Sequence, residues 1–145
     1  MKILIAVDEE PESNDALTFA KRILPADAEV VVLNVVRSAV SPYGTLGTWG
    51  AGPYGDAGVP VIEDMQGAEQ SAERTVNKAS EGLDDAEERV EHGPVGPMIC
   101  EVAETADVDL VVLGTHDRSR WGRLWFGSVS DHVMHHAPCP VLVVR

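Results

Sequence analysis

The sequence is poor in the features that support secretion, membrane insertion or metal binding. Its two cysteines, Cys100 and Cys139, have no CxxC spacing, so we expect two buried thiols of a reducing compartment. Aliphatic runs such as 30–33 and 110–113 fall far short of the roughly 20 residues that span a bilayer. The apolar start is interrupted by Asp8, whereas a secretory signal needs an apolar segment of about 7–15 residues. We therefore expect a cytoplasmic protein with no membrane partner.

Basic residues are also scarce. The chain has 24 acidic and 11 basic residues, a formal net charge of -13, and lysine occurs only at positions 2, 21 and 78. This balance argues against a nucleic-acid partner, because a polyanion is bound through clustered lysine and arginine. Two explanations stay open for the acidic, lysine-poor composition: adaptation to concentrated salt, or an ordinary acidic protein.

Common catalytic motifs are missing as well. The chain contains no Gly-x-Ser-x-Gly, no HExxH and no GxxxxGK[ST] segment, so we predict no catalytic residue. His132 and His136 have the spacing of two metal ligands on one helical face, but the sequence places no third ligand beside them. Stabilisation of the helix C-terminus by histidine is the simpler explanation, and we predict no metal site.

Short β-branched runs alternate with longer stretches of helical periodicity, which is typical of βαβ units and a parallel sheet. The 145 residues suffice for one domain, 1–145. The predicted strands are 2–7, 29–36, 110–114, 141–144 and a weaker one near 87–91. The predicted helices are 11–24, 62–82, one opened by Pro94 or Pro97 that runs to Ala106, and 128–136. The pattern therefore indicates a doubly wound α/β sandwich with five strands and four helices.

The segment 41–60 interrupts this pattern with six glycines and three prolines. A loop of this length is either a mobile connection or a functional contact segment. Trp49 and Tyr54 favour a contact role, since exposed aromatic side chains often anchor partners. Both interpretations stay open.

The segment after Gly114 is the strongest candidate for a binding site. In open parallel sheets, ligands bind beyond the carboxyl ends of the strands, where Asp8 and Gly114 fall. Gly127-Ser128 at a helix start offers backbone N–H groups and a hydroxyl to an anion. Residues 115–127 hold one aspartate and three arginines, a net charge of +2. A small anionic ligand is favoured, although tight turns and close packing also explain the glycines.

Spacing in this segment resembles a family signature. Gly114 is followed after two residues by Asp117 and, after nine more, by Gly127-Ser128. This is similar to the motif of universal stress proteins, whose nucleotide-binding members carry Gly, two residues, Gly, nine residues, then Gly and Ser or Thr. The resemblance extends over nearly the whole chain, including residues 3–8, 106–116 and 127–144.

The resemblance implies a five-stranded parallel sheet of order 3-2-1-4-5 and a site for ATP or another adenine nucleotide. Asp8 matches a position near the adenosine, and Val35 matches a residue whose backbone faces the adenine. The positions that match residues lining the ribose and phosphates are Gly114, Gly127, Ser128 and Val129. Asp117 departs from the pattern, because it puts a carboxylate where the family has its second glycine. The carboxylate either repels the phosphates or holds a Mg²⁺ that bridges to them.

Three functions follow from these observations. The first is a small stress or signalling protein that binds an adenine nucleotide between the first and fourth strands, without being a dedicated enzyme. The second is a nucleotide-independent, partner-binding stress protein whose site Asp117 has closed. The third is slow ATP hydrolysis, with arginines stabilising phosphate charge but no evident general base. The apolar C-terminal strand 141–144 and the resemblance together predict a homodimer through that strand.

Overall fold

A computed structural model describes residues 1–9, 11–25, 27–37, 62–114 and 128–144. In these ranges the chain forms five strands and four helices, in strict alternation after the first strand. The strands are β1 (Lys2–Ala6), β2 (Glu29–Val36), β3 (Glu87–His92), β4 (Leu110–Gly114) and β5 (Val141–Val144). The helices are α1 (Pro11–Ile23), α2 (Ile62–Ser80), α3 (Val95–Thr105) and α4 (Ser128–His136).

All five strands belong to one parallel sheet. Their order is β3-β2-β1-β4-β5, and each neighbouring pair is parallel. The predicted α/β class, the strand order and the element count are therefore confirmed. The strand order reverses direction at β1, so that β1 lies between β2 and β4 at the switch point where such sheets bind ligands.

Side chains alternate between the two faces of the sheet and build two separate cores. Along β1, Leu4 belongs to one cluster, whereas Ile3 and Ile5 belong to the other. The first cluster also contains Ile99 and Val102 from α3 and Val133 from α4. The second contains side chains from α1 and α2, among them Leu17, Ala20, Val76 and Ala79. Because both faces are covered, the central strands are apolar at successive positions, as the sequence predicted.

The turn from β3 to α3 is shaped by Gly93. Its φ of 148° lies in the region that disfavours residues with a side chain. A Cβ at this position would also lie 3.0 Å from Cγ of Met98. The Gly93 N–H donates a hydrogen bond of 3.0 Å to the Val36 carbonyl oxygen, which joins this turn to the end of β2. Pro94 then forms the N-cap of α3 without a side-chain hydrogen bond.

Most predicted boundaries agree with the structure to within two residues. The first strand ends at Ala6 instead of Val7, α1 at Ile23 instead of Leu24, and α2 at Ser80 instead of Gly82. The strand near 87–91 extends to His92. Residues 66–70 of α2 are exposed, and the buried side chains among its described residues are Ala72, Val76 and Ala79.

The cysteines differ from expectation in their degree of burial. Cys100 and Cys139 are free thiols and only half-buried, where we expected buried thiols. The reason is their place at the margin of the first cluster, which contains side chains of α3 and α4 and is called the α3–α4 core below. Both cysteines pack against this core without being enclosed by it. Partial burial raises the pKa of both thiols, and for Cys100 the neighbouring Cys139 raises the pKa further.

The described residues contain neither a membrane-spanning helix nor a cluster of metal-ligating side chains. No helix in these ranges is long and apolar enough to cross a membrane. No group of three or more histidine, cysteine, aspartate or glutamate side chains there could hold a metal ion. The glycine-rich segment 41–60, with Trp49 and Tyr54, lies outside the described residues, as do Asp117 and Gly127.

Candidate functional site

The carboxyl ends of β1, β2 and β4 lie level with one another. The register pairs Ala6 with Leu33, and its continuation by two residues sets Asp8 beside Val35. Likewise, Ile5 pairs with Val112, and continuation of this register by two residues sets Gly114 beside Val7. Asp8, Val35 and Gly114, three residues that the sequence predicts for the site, therefore lie at the carboxyl ends of adjacent strands, at one edge of the sheet.

A buried asparagine fastens the end of β1 to β2. Asn34 is 8% exposed, and its Nδ2 donates a hydrogen bond of 2.9 Å to the Val7 carbonyl oxygen. The backbone continues this link, because the Val7 N–H donates to the Leu33 carbonyl oxygen at 2.8 Å. Asp8 therefore follows a residue whose backbone N–H and carbonyl are both held by β2. Such anchoring limits the positions that Asp8 can adopt at the strand end.

A cleft opens at this same edge of the sheet, between the first turn of α3 and the N-terminal half of α4. Its volume is about 360 Å³, within the range of about 300–1,000 Å³ typical of small-molecule sites. The lining residues are Arg37, Gly93, Pro94, Val95, Gly96, Pro97, Val129 and His132. Val129, which the sequence placed at the site, lies both in this lining and against the α3–α4 core.

Helix α4 begins at Ser128, as predicted, directly before Val129. The first backbone N–H groups of a helix have no partner inside the helix and carry the positive end of its dipole. An anion that lies against Ser128 and Val129 would meet this end of α4. Asp117 and Gly127, the other two predicted site residues, lie outside the described residues, so their positions remain predictions.

The two histidines of α4 contact each other. The rings of His132 and His136 stack with centroids 4.2 Å apart and planes 13° from parallel. Nδ1 of His136 donates a hydrogen bond of 2.8 Å to the His132 carbonyl oxygen, which fixes the proton of His136 on this nitrogen. The pair is therefore arranged as a ring stack that supports His132 at the cleft.

Sequence reasoning missed most of the cleft lining. Arg37, Gly93 and His132 are far apart in the chain and form no motif, so that only the folded sheet brings them together. A signal existed for Gly93 alone, because a glycine between a strand and a proline marks a sharp turn. Arg37 carried no signal, and the spacing of His132 and His136 indicated a shared helical face without pointing to the cleft.

The parallel sheet, its switch point at β1 and a cleft at the carboxyl ends of its strands define an α/β protein of the doubly wound, ligand-binding class. Within this class, the chain belongs to the universal stress protein family: the profile of that family matches residues 1–145.

Comparison with individual proteins agrees with this assignment. The chain is 33% identical to universal stress protein A homolog 2 of Coxiella burnetii, over 99% of this chain and 94% of that protein. A universal stress protein solved in complex with cAMP superposes with a TM-score of 0.70 at 20% identity, covering 100% of this chain and 97% of the other. A universal stress protein from Archaeoglobus fulgidus in complex with dAMP gives a TM-score of 0.63 at 21% identity, covering 100% and 98%. At these identities the two structures establish the shared fold.

Proposed function

We propose that this protein binds an adenine nucleotide at the carboxyl edge of its sheet. The observation that carries the proposal is the 360 Å³ cleft, which includes Val129 at the start of α4 and lies at the same sheet edge as Asp8 and Val35. Its lining suits such a ligand, because proline and valine side chains can contact the base and sugar while Arg37 and His132 suit an anionic phosphate.

Related structures support the same proposal. Two universal stress proteins of this fold were solved with the adenine nucleotides cAMP and dAMP. In this chain we assign the nucleotide to Asp8, Val35 and Gly114 at the strand ends, together with Gly127, Ser128 and Val129 before and within α4. Family resemblance supports the role of Gly127, which lies outside the described residues. We propose binding as the primary activity, without a dedicated catalytic residue.

The first experiment asks whether the protein holds a nucleotide. Protein purified without added nucleotide is denatured, and the supernatant is analysed for ATP, AMP and cAMP; titration calorimetry with each compound follows. A bound adenine nucleotide, or saturable binding, is the expected result. Absence of both in protein with a cooperative unfolding transition would contradict the proposal and favour the nucleotide-independent alternative. Multiple turnover of ATP that disappears in Arg123→Ala would instead favour slow hydrolysis.

A second experiment concerns Asp117, which replaces the family's second motif glycine. A carboxylate that faces the phosphates repels them. For two unit charges about 4 Å apart, this repulsion is about 4 kcal/mol at an effective dielectric of about 20 and about 1 kcal/mol in a site filled with water. We therefore expect Asp117→Gly to bind ATP roughly tenfold more tightly, since about 1.4 kcal/mol is a factor of ten. If Asp117 instead holds Mg²⁺, the same variant binds ATP more weakly and loses its magnesium dependence. Calorimetry with and without Mg²⁺ separates the two results, and identical isotherms would show that Asp117 points away from the ligand.

The sheet edges support a homodimer through β5. At the opposite edge, β3 carries Glu87, Glu88, Arg89 and Glu91, whereas β5 consists of valine and leucine only. Charged residues protect an edge strand from pairing with another chain, and an apolar edge lacks this protection. We expect a mass of about twice 15.6 kDa in sedimentation velocity at micromolar concentration. A single species at the monomer mass would contradict the dimer.

The remaining features fit a single compact protein of the cell interior. The family profile spans residues 1–145, and strands from both ends of the chain join one sheet, which supports one domain. Two free, half-buried thiols fit a reducing compartment such as the cytoplasm.

A further inference from the structure

The cleft differs in charge from the protein as a whole. The chain has a formal net charge of -13, yet none of the described residues that line the cleft is acidic. Among these described lining residues, Arg37 and His132 can carry a positive charge, and the others are glycine, proline and valine. The first turn of α3, which forms one wall, also contains no acidic residue. The described part of the cleft lining is therefore positively polarised in an otherwise acidic protein, which favours ligands that carry negative charge.

His132 is held in place from two sides. On the α3 side, the absence of a side chain at Gly96 lets the imidazole approach closely: a Cβ there would lie 2.9 Å from Cδ2 of His132. On the other side, the ring of His136 stacks against it at 4.2 Å. His136 is itself fixed by its hydrogen bond to the His132 carbonyl oxygen. The His132 ring is thus pre-positioned at the cleft and needs little ordering when a ligand binds.

Arg37 has the opposite character. It follows directly after the last residue of β2, whose carbonyl oxygen accepts the Gly93 N–H at 3.0 Å, so its backbone starts from a fixed point. Its side chain is exposed, and a guanidinium there can reach for a ligand and form two parallel hydrogen bonds to a phosphate group. A fixed imidazole on α4 and an exposed guanidinium that follows the end of β2 therefore border the same cleft.

We propose that Arg37 and His132 act together as a clamp for the phosphate group of the bound nucleotide. The clamp rests on the proposed adenine-nucleotide function and adds a specificity to it: the charge of the ligand is recognised by two side chains as well as by the helix start at Ser128. Adenosine, which has the same base and sugar but no phosphate, lacks the group that the clamp binds. The protein therefore prefers AMP to adenosine, and Arg37 and His132 are specificity-determining residues.

The test compares AMP with adenosine by titration calorimetry on wild type, Arg37→Ala and His132→Gln. Two matched controls carry the same chemistry on exposed positions away from the cleft: Arg74→Ala on α2 and His135→Gln on α4. We expect wild type to bind AMP at least tenfold more tightly than adenosine. Each clamp variant should raise the Kd for AMP roughly tenfold and change the Kd for adenosine by no more than about twofold. The control variants should bind both ligands as wild type does.

Several outcomes would overturn the clamp. If the clamp variants bind AMP and adenosine more weakly by the same factor, Arg37 and His132 have only a structural role. If the clamp variants bind both ligands as wild type does, the phosphate is bound elsewhere. Should His132→Gln fail to unfold cooperatively, Arg37→Glu decides alone, because reversal of an exposed charge leaves the core intact and is expected to abolish the preference for AMP. Equal binding of AMP and adenosine by wild type would refute the clamp but leave the proposed adenine site standing. Binding of neither ligand by wild type would refute both proposals.

Discussion

At the scale of single residues, two glycines in helices have opposite surroundings. Gly96 in α3 lies against His132, where a Cβ would approach the ring and Cβ of that residue to 2.9–3.0 Å. Apart from the backbone of its own helix, no described atom lies within 4 Å of the same position at Gly67 in α2. The first glycine is thus required by packing between α3 and α4, whereas the second is not.

This contrast predicts opposite signs for the same substitution. Gly67→Ala should raise the free energy of unfolding by up to about 1 kcal/mol through helix propensity. Gly96→Ala should lower it by about 1–2 kcal/mol, because overpacking of about 1–3 kcal/mol exceeds the helical gain, and His132 Cβ lies too near the α4 backbone to move alone. Urea denaturation of the two variants measures both changes. Equal stabilisation by the two alanines would show that α3 and α4 are free to separate.

At the scale of elements, the end of β1 depends on the buried amide of Asn34. In Asn34→Ala, the Val7 carbonyl oxygen loses its 2.9 Å partner. A buried polar group without a partner destabilises the fold by about 1–3 kcal/mol. Asn77 is a matched control, because its Nδ2 makes a similar hydrogen bond, 2.7 Å long, to the Glu73 carbonyl oxygen on the exposed side of α2.

We expect Asn34→Ala to lose about 1–3 kcal/mol of stability and to weaken nucleotide binding, since Asp8 follows the released carbonyl directly. Asn77→Ala should lose less than about 1 kcal/mol and bind as wild type does. Chemical denaturation and calorimetry measure the two effects separately. A similar loss of stability in both variants would mean that the Asn34 hydrogen bond does not anchor the strand end.

The elements also show how far sequence reasoning reaches. Strands β2 and β4 were predictable, because buried parallel strands leave unbroken aliphatic runs, and Gly114 marks the end of β4. The strand order came from family resemblance, since periodicity does not determine which strands are neighbours. The cleft was beyond reach for the same reason: Arg37 and His132 border one cleft only because β2 ends and α4 begins at the same edge of the sheet. Half-burial of Cys139 was likewise unpredictable, because it depends on where a loop crosses the core margin.

At the scale of the whole molecule, uncompensated negative charge is the dominant electrostatic property. With a net charge of -13, repulsion among surface carboxylates opposes the compact state, and dissolved salt screens it. If the acidity is a salt adaptation, the melting temperature should rise steadily as KCl increases from about 0.1 M to about 2 M. The reason is that the Debye length falls from about 10 Å at 0.1 M to about 3 Å at 1 M, so that added salt screens the repulsion over ever shorter distances.

A charge-reduced variant provides the control for this prediction. Glu73, Glu81 and Glu88 are exposed, and their replacement by glutamine removes three negative charges without touching either core. The variant should melt higher than wild type in dilute buffer and gain less from KCl. A melting temperature of wild type that stays flat or falls over this range would identify an ordinary acidic protein.

The two cores on opposite faces of the sheet have a further consequence for how this protein can diverge. The cleft is built by α3, α4 and the strand ends, whereas the acid-rich helix α2 packs on the other face with its own apolar cluster. Substitutions that accumulate on the outer surface of α2 leave the geometry of α3 against α4 intact. Descendants of one ancestor can therefore change their surface charge to suit a new habitat while they inherit the cleft unaltered.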